Sequence, residues 1–315
     1  MALRTLSPFG PFSLASASRF LCTFTPAAGS ACEVDDGLGL SFLSDRTFQP
    51  VAARVTQDGD EVRIDAFGGD PDAIARQAAR ILSLDWDARP LATIARRDPV
   101  VRAALERRVG FRPPIFPSPY EAALWGVLSQ RTPMRVAAAV KRKLAETHGE
   151  RVPTPWGDVA VVPSPAKLLS LDAAPGIAAE KLRRLHAVAE AALEGRLDAE
   201  RLRAMAPDEA LDDLASIRGI GPWTAQHVLM RGTGPTDTLP TAEPRVAHAI
   251  ELAYGLRRTP SLDEIADLAE RWRPFRMWIC VLFVAEFGFR DEVTRTLRSS
   301  RPPAPRRSAS ASLHR

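Results

Sequence analysis

Residues 211–250 read LDDLASIRGIGPWTAQHVLMRGTGPTDTLPTAEPRVAHAI, and the order of residue types in this stretch decides the fold. Gly219-Ile220-Gly221-Pro222 lies between two segments of helical periodicity. Two glycines around one apolar residue let the backbone turn tightly and approach another surface, and Pro222 presets the first turn of the next helix. The N–H groups of that turn lack partners within the helix and lie at the positive end of its dipole, which makes a place for a phosphate. A plain tight turn between two helices would carry the same glycines. Trp223 and His227 are four residues apart and share a helix face. Flat rings so placed serve either as a stacking platform or as ordinary packing.

Working outward, helical periodicity begins after Asp85. Helices are expected over residues 98–109, 119–130, 133–148, 165–171, 178–193, 207–216 and 223–231, then over 245–254, 261–271 and 275–287. Ser118-Pro119, Thr132-Pro133 and Ser164-Pro165 read as N-cap residues followed by proline, where the missing N–H costs nothing. Residues 85–289 are therefore expected to form an all-α domain.

Residues 1–84 read differently, as a small α+β domain. A helix is expected over 12–21 and a strand over 37–42. Two alternating stretches, 49–56 and 61–67, flank an Asp58-Gly59 turn and predict a β-hairpin, with Val51, Ala53 and Val55 on one face with Val62, Ile64 and Ala66. Asp70-Pro71 opens a helix to about Leu82. Residues 290–315, rich in Pro, Ser and Arg, are expected to be a disordered tail.

Hydrophobic residues at 45% and charged residues at 25% are those of a globular chain, and no apolar run approaches the length of a membrane span. The opening residues lack the pattern of an export signal. Cys22, Cys32 and Cys280 are too few and too scattered for a disulfide framework or a zinc site, which fits a reducing, cytoplasmic setting. The net charge is +4, but residues 290–315 carry seven arginines against Asp291 and Glu292. The body is thus near neutral, and any surface for a polyanion must be local.

The pattern Leu214-x-x-Ile217-x-Gly219-Ile220-Gly221-Pro222-Trp223-Thr224-Ala225 resembles the helix-hairpin-helix of a DNA glycosylase superfamily, and its details resemble the 3-methyladenine DNA glycosylase II branch. Residues 84–132, ending near Gln130, resemble the segment that joins the family's amino-terminal domain to its helical body. Residues 176–198 and 270–288 resemble further family segments. The resemblance implies an α+β fold: a small mixed α/β amino-terminal domain followed by a mainly α-helical, two-lobed helix-hairpin-helix glycosylase body.

It also implies a function. The hairpin would grip double-stranded DNA through Gly219, Gly221 and Thr224, Arg131 would fill the gap left by an extruded base, and Gln130, Trp223 and His227 would shape the pocket that receives it. For Arg131 a plain surface role is equally open. The family's catalytic aspartate follows a Phe/Leu-Pro-x-x step. Here Leu239-Pro240-Thr241-Ala242-Glu243 puts Glu243 at that place, one methylene longer. A fixed carboxylate beside a sugar that becomes cationic lowers the barrier to hydrolysis, although a shift of ~1 Å can cost about a hundredfold. Asp237 precedes the proline step and is expected to order the loop. Bifunctional relatives carry a nucleophilic lysine where this chain has Trp223, so a monofunctional enzyme excising alkylated purines of the 3-methyladenine type in base excision repair is implied, with water as nucleophile. No metal site or required cofactor is implied beyond a monovalent cation, Na+ or K+, on the hairpin carbonyls. The expected state is a monomer, nucleoid-associated, with no membrane partner. The rival reading is a DNA-binding or lesion-sensing relative that lost catalysis with the aspartate.

Overall fold

The computed structural model describes residues 2–27 and 29–287; the tail expected over 290–315 lies outside the described residues. The chain opens with β1 (Ala2–Leu6) and α1 (Leu14–Thr23), followed by β2 (Ala31–Val34), β3 (Gly37–Leu43), β4 (Pro50–Asp58) and β5 (Glu61–Phe67). These strands form one antiparallel sheet in the order β1-β5-β4-β3-β2. The expected hairpin is β4–β5, with Ala53 opposite Ala66 and Val55 opposite Ile64. Val51, Ala53, Val55, Val62, Ile64 and Ala66 are all buried on one face. That face is covered by α1 and by α2 (Pro71–Ile81), whose N-cap is Asp70, accepting from the Asp72 N–H.

The helical part contains α3 (Leu91–Arg97), α4 (Pro99–Arg107), α5 (Pro119–Ser129), α6 (Met134–His148), α7 (Pro165–Leu169), α8 (Ala179–Leu193), α9 (Ala199–Ala204), α10 (Pro207–Ala215), α11 (Pro222–Val228), α12 (Pro244–Tyr254), α13 (Leu262–Ala269) and α14 (Arg276–Phe287). One core gathers around α5, with α6, α8, α10 and α11; a second gathers around α12 and α14, with α3, α4 and α13. Nearly every side chain of α5 is buried, so this helix runs through the body rather than over it. In the second core Asp98 is the polar node. One carboxylate oxygen caps α4 through the N–H groups of Val100 and Val101, and the other accepts from Trp272 Nε1 and the Tyr254 hydroxyl.

The helical part is not purely α. Strands β6 (Glu150–Thr154) and β7 (Gly157–Val161) form a hairpin, which corrects the all-α expectation. Two five-residue strands are too short to stand alone. They hold because Val152 and Val161 are buried and Trp156 packs edge-on against Phe67 of the amino-terminal sheet, ring centroids 5.5 Å apart. Helices α3 and α9, seven and six residues long, lacked a periodic signal. Of the three expected cap-proline pairs, Ser118 caps α5 through the Glu121 N–H. Ser164 bonds Glu150 instead, and Thr132 stands one residue too early, accepting from Lys181 Nζ and donating to the Gln130 carbonyl.

One fully buried cation ties the parts together. Arg112, in the segment after α4, donates to five carbonyls, those of Phe9, Gly10, Pro11, Ser83 and Trp86. Burial lowers its pKa to about 10, against the upward pull of Asp87 and Asp85, so it stays charged at neutral pH. Replacing it orphans buried acceptors that no other side chain reaches. Arg112→Leu is expected to cost ~3 kcal/mol or more, read as a lower urea midpoint at unchanged slope, with Arg112→Lys in between.

Candidate active site

The hairpin joins α10 to α11. Ile220 is buried between the two glycines while Gly221 and Pro222 lie exposed at the tip. Gly219 has φ +89°, and a Cβ there would come within 2.7 Å of the Arg184 side chain, so the turn accepts only glycine. Gly221 is the N-cap of α11 and offers no side chain to cap it, which leaves the first-turn N–H groups facing outward. On the far side of α11, Thr224 packs against Gly126 of α5. A Cβ on Gly126 would lie 2.5 Å from the Thr224 methyl.

Beyond α11 the helix widens into a π-type turn, Leu229–Thr233. Between this segment and α12 and α14 lies an open cleft. Trp223, Gln226, His227 and Arg231 form one wall. Pro240, Glu243 and Arg245 form the loop and the start of α12 opposite, and Val281 and Val284 of α14 lie beside them. Phe20 and Phe24, at the end of α1, close the cleft from the amino-terminal domain. Trp223 and His227 stack with ring centroids 5.0 Å apart and planes 11° from parallel, and Phe116 meets His227 edge-on. Burial pushes His227 down to about 3, with Arg231 adding to the shift and Glu243 opposing it. The ring is therefore neutral at neutral pH, and its Nε2 is buried without a partner.

Glu243 is the N-cap of α12, and its Oε1 accepts from the Arg245 N–H. Both oxygens also bond the Arg245 guanidinium, Nε to Oε1 at 2.8 Å and Nη2 to Oε2 at 3.0 Å. The carboxylate thus lines the cleft and at the same time sits in a bidentate ion pair. Burial pushes its pKa up, but the hydrogen bonds and charge of Arg245 outweigh this and hold it below the usual carboxylate value. The loop before it is fastened to α11 by Gln226, whose Oε1 accepts from the Ala242 N–H at 2.7 Å and whose Nε2 donates to Thr241 Oγ1 at 3.0 Å.

Trp223, His227 and Glu243 therefore meet in one cleft. Gln130 does not line it. It ends α5, where its Nε2 donates to the Gly219 carbonyl and its Oε1 accepts from Arg184, so its amide is spent on tying the α5–α6 turn to the hairpin. Thr224 cannot touch DNA through its side chain, because it is 3% exposed and faces α5. Arg131 is exposed at the α5–α6 turn with φ +50°, a strained backbone for a non-glycine residue. Asp237 is clamped by Arg273 and Arg276 and orders the loop. Tyr120, Trp125, Trp278 and Phe283 are buried core and none lines the cleft. Among the described residues no group of His, Cys, Asp and Glu could hold a metal ion. Gln226, Arg231 and the two phenylalanines of α1 were missed. Gln226 stands on the face of α11 beside Trp223, which is the only local signal for it.

No family model matches the chain. It is similar to the DNA-3-methyladenine glycosylase of Bacillus subtilis, 29% identical over 199 residues that cover 62% of this chain and 66% of that protein. It is also similar to DNA-3-methyladenine glycosylase 2 of Escherichia coli, 28% identical over 57% of this chain and 63% of that protein. The chain thus spans a little under two thirds of the length of these two curated relatives. In fold it is similar to the 3-methyladenine DNA-glycosylase from Archaeoglobus fulgidus, with a TM-score of 0.75 at 19% identity over 92% of this chain and 99% of that one. A tight glycine hairpin leading into a ring-lined cleft and a two-lobed body thus occur in a chain that is similar in sequence to two 3-methyladenine DNA glycosylases and similar in fold to a third.

Proposed function

We propose that the protein is a monofunctional DNA glycosylase that excises alkylated purines of the 3-methyladenine type from duplex DNA. The observation that carries this reading is the position of Glu243 on the wall of a cleft whose other wall is the Trp223–His227 stack. The exposed hairpin tip and the Arg131 turn, joined by Gln130, form the surface that takes the backbone. Only a base turned out of the duplex exposes its glycosidic bond, and the stacked rings offer it a flat surface in exchange for the neighbours it leaves.

As that bond breaks, positive charge develops on the sugar. A carboxylate at ~4 Å with an effective dielectric of ~20 stabilises it by roughly 4 kcal/mol, about three powers of ten in rate. An alkylated purine is already cationic and departs neutral, so water attacks the sugar without a strong acid on the base. Arg245 keeps Glu243 ionised but cancels part of its field; a DNA phosphate that drew the guanidinium away would restore it. Among the described residues no lysine lines the cleft, and Trp223 occupies the nucleophile's place, which supports hydrolysis without strand cleavage. The hairpin carbonyls would hold a monovalent cation near the phosphate, with the Gly219 oxygen serving both it and Gln130. In this reading the protein works as a monomer in the cytoplasm, at the nucleoid.

The second reading, a DNA-binding relative without catalysis, is favoured by one observation, the ion pair that occupies both Glu243 oxygens. Release of free base from methylated duplex separates the two. The wild-type protein is expected to release base and Glu243→Gln to fall about a thousandfold while still binding the duplex; equal traces from both would decide for the second reading. Borohydride should trap no covalent complex of the wild-type protein with DNA.

Two further outcomes follow from the loop. Gln226→Leu frees the segment before Glu243 and is expected to lower single-turnover release ten- to a hundredfold, about what a displacement of ~1 Å costs, at little change in duplex affinity. Because Arg245 depresses the Glu243 pKa, the carboxylate stays ionised into more acidic solution. Activity should therefore persist below the usual carboxylate range, and Arg245→Met should move the acid limb of the rate profile to higher pH.

A further inference from the structure

Arg231 has no part in the reading above, yet it stands in the wall of the same cleft. It is carried by the π-type turn Leu229–Thr233, a winding that is rare and gathers at functional sites. Its Nη2 donates to the Pro114 carbonyl at 2.7 Å, and the guanidinium lies 5.6 Å from the Phe24 ring centroid and 6.0 Å from that of Phe20. A guanidinium is planar, so these anchors also fix the direction of Nη1. That nitrogen is buried and has no hydrogen-bond partner. A charged donor left without an acceptor is costly, and the cost falls away when a ligand brings one.

The ligand's chemistry follows from the donor. At the six position an oxopurine presents an acceptor and an aminopurine a donor; arginine is the side chain best matched to the former. The charge of Arg231 matters as well. Among the described residues the cleft holds the guanidiniums of Arg231 and Arg245 and the carboxylate of Glu243, with His227 neutral. Such a site gives added stabilisation to a base that becomes negative as it leaves.

We propose that Arg231 determines which lesions are released, by donating through Nη1 to the six-oxo edge of a flipped purine and stabilising the negative charge of a departing neutral base. The inference rests on the glycosylase reading. In the step, the C1′–N9 bond breaks and its electron pair goes with the base, water adds to C1′, and the proton lost by that water ends on the released base. For a cationic alkylpurine the departing base is neutral and the proton goes to solvent, so Arg231 has no anion to stabilise.

Three duplexes test this under single turnover: hypoxanthine, neutral with a six-oxo group; 7-methylguanine, cationic with a six-oxo group; and 3-methyladenine, cationic with a six-amino group. Arg231→Met is expected to lower hypoxanthine release about a hundredfold, the loss typical of a donor to developing negative charge, and release of the two cationic bases less than about fivefold. Arg231→Lys, which keeps the charge without the fork, should lower the ratio of hypoxanthine to 7-methylguanine release about tenfold, and this ratio decides if the Met variant fails to melt cooperatively. A uniform loss on all three bases, an unchanged ratio, or a wild-type protein that releases the cationic bases but no hypoxanthine would overturn the proposal and leave the glycosylase reading standing. A wild-type protein that releases none of the three overturns both.

Discussion

The seat of Thr224 against Gly126 governs the geometry of the cleft. Helix α11 is seven residues long, too short to hold a direction by itself, and this contact lets its backbone lie closer to α5 than any larger residue at 126 would permit. With Thr224 turned inward, Trp223, Gln226 and His227 are turned outward. The stacked rings are thereby presented to the cleft, and the amide of Gln226 meets the loop that delivers Glu243. The hairpin at the start of the same helix is directed at solvent. The hairpin and the ring-lined wall of the cleft are thus set by a single packing contact, one end and one face of the same short helix.

The charges in the cleft are arranged by burial as much as by contact. His227 lies between Trp223 and Phe116 beside Arg231 and Arg245, and it gives up its charge. Glu243 keeps its own because Arg245 is two residues away and bonds both oxygens. The placement of Glu243 at an N-cap adds the first N–H groups of α12 to the same end. A side chain one methylene longer than aspartate is thus restrained at three points, by a backbone N–H and two guanidinium nitrogens, which offsets the freedom the extra methylene brings.

Much of this was legible in the sequence because it is local. The Gly-x-Gly-Pro turn, the i and i+4 spacing of the two rings, the β4–β5 alternation around Asp58-Gly59 and the Asp70-Pro71 helix start each depend on neighbours within a few residues. What was not legible depends on distant partners. Gln130 reads as a pocket residue until Gly219 and Arg184 are seen to use its amide. Thr224 reads as a DNA contact until α5 covers it. Strands β6 and β7 have too little periodicity to announce themselves, and exist because the amino-terminal sheet offers them Phe67 to pack on. Phe20 and Phe24 lie far from the hairpin in sequence and carry no motif, yet they line the cleft and pack on the core around α12 and α14.

After Leu91 the described chain passes from one core to the other through residues 112–118 and again through residues 229–243. These two crossings are bonded to each other, the Phe116 N–H to the Arg231 carbonyl and Arg231 Nη2 to the Pro114 carbonyl, and the first begins at the buried Arg112. A swing of one lobe away from the other would have to shear both connections together. The aperture is therefore largely set by the chain itself, and under the proposed function the pace of entry would belong to the DNA, through how often a damaged nucleotide leaves the stack.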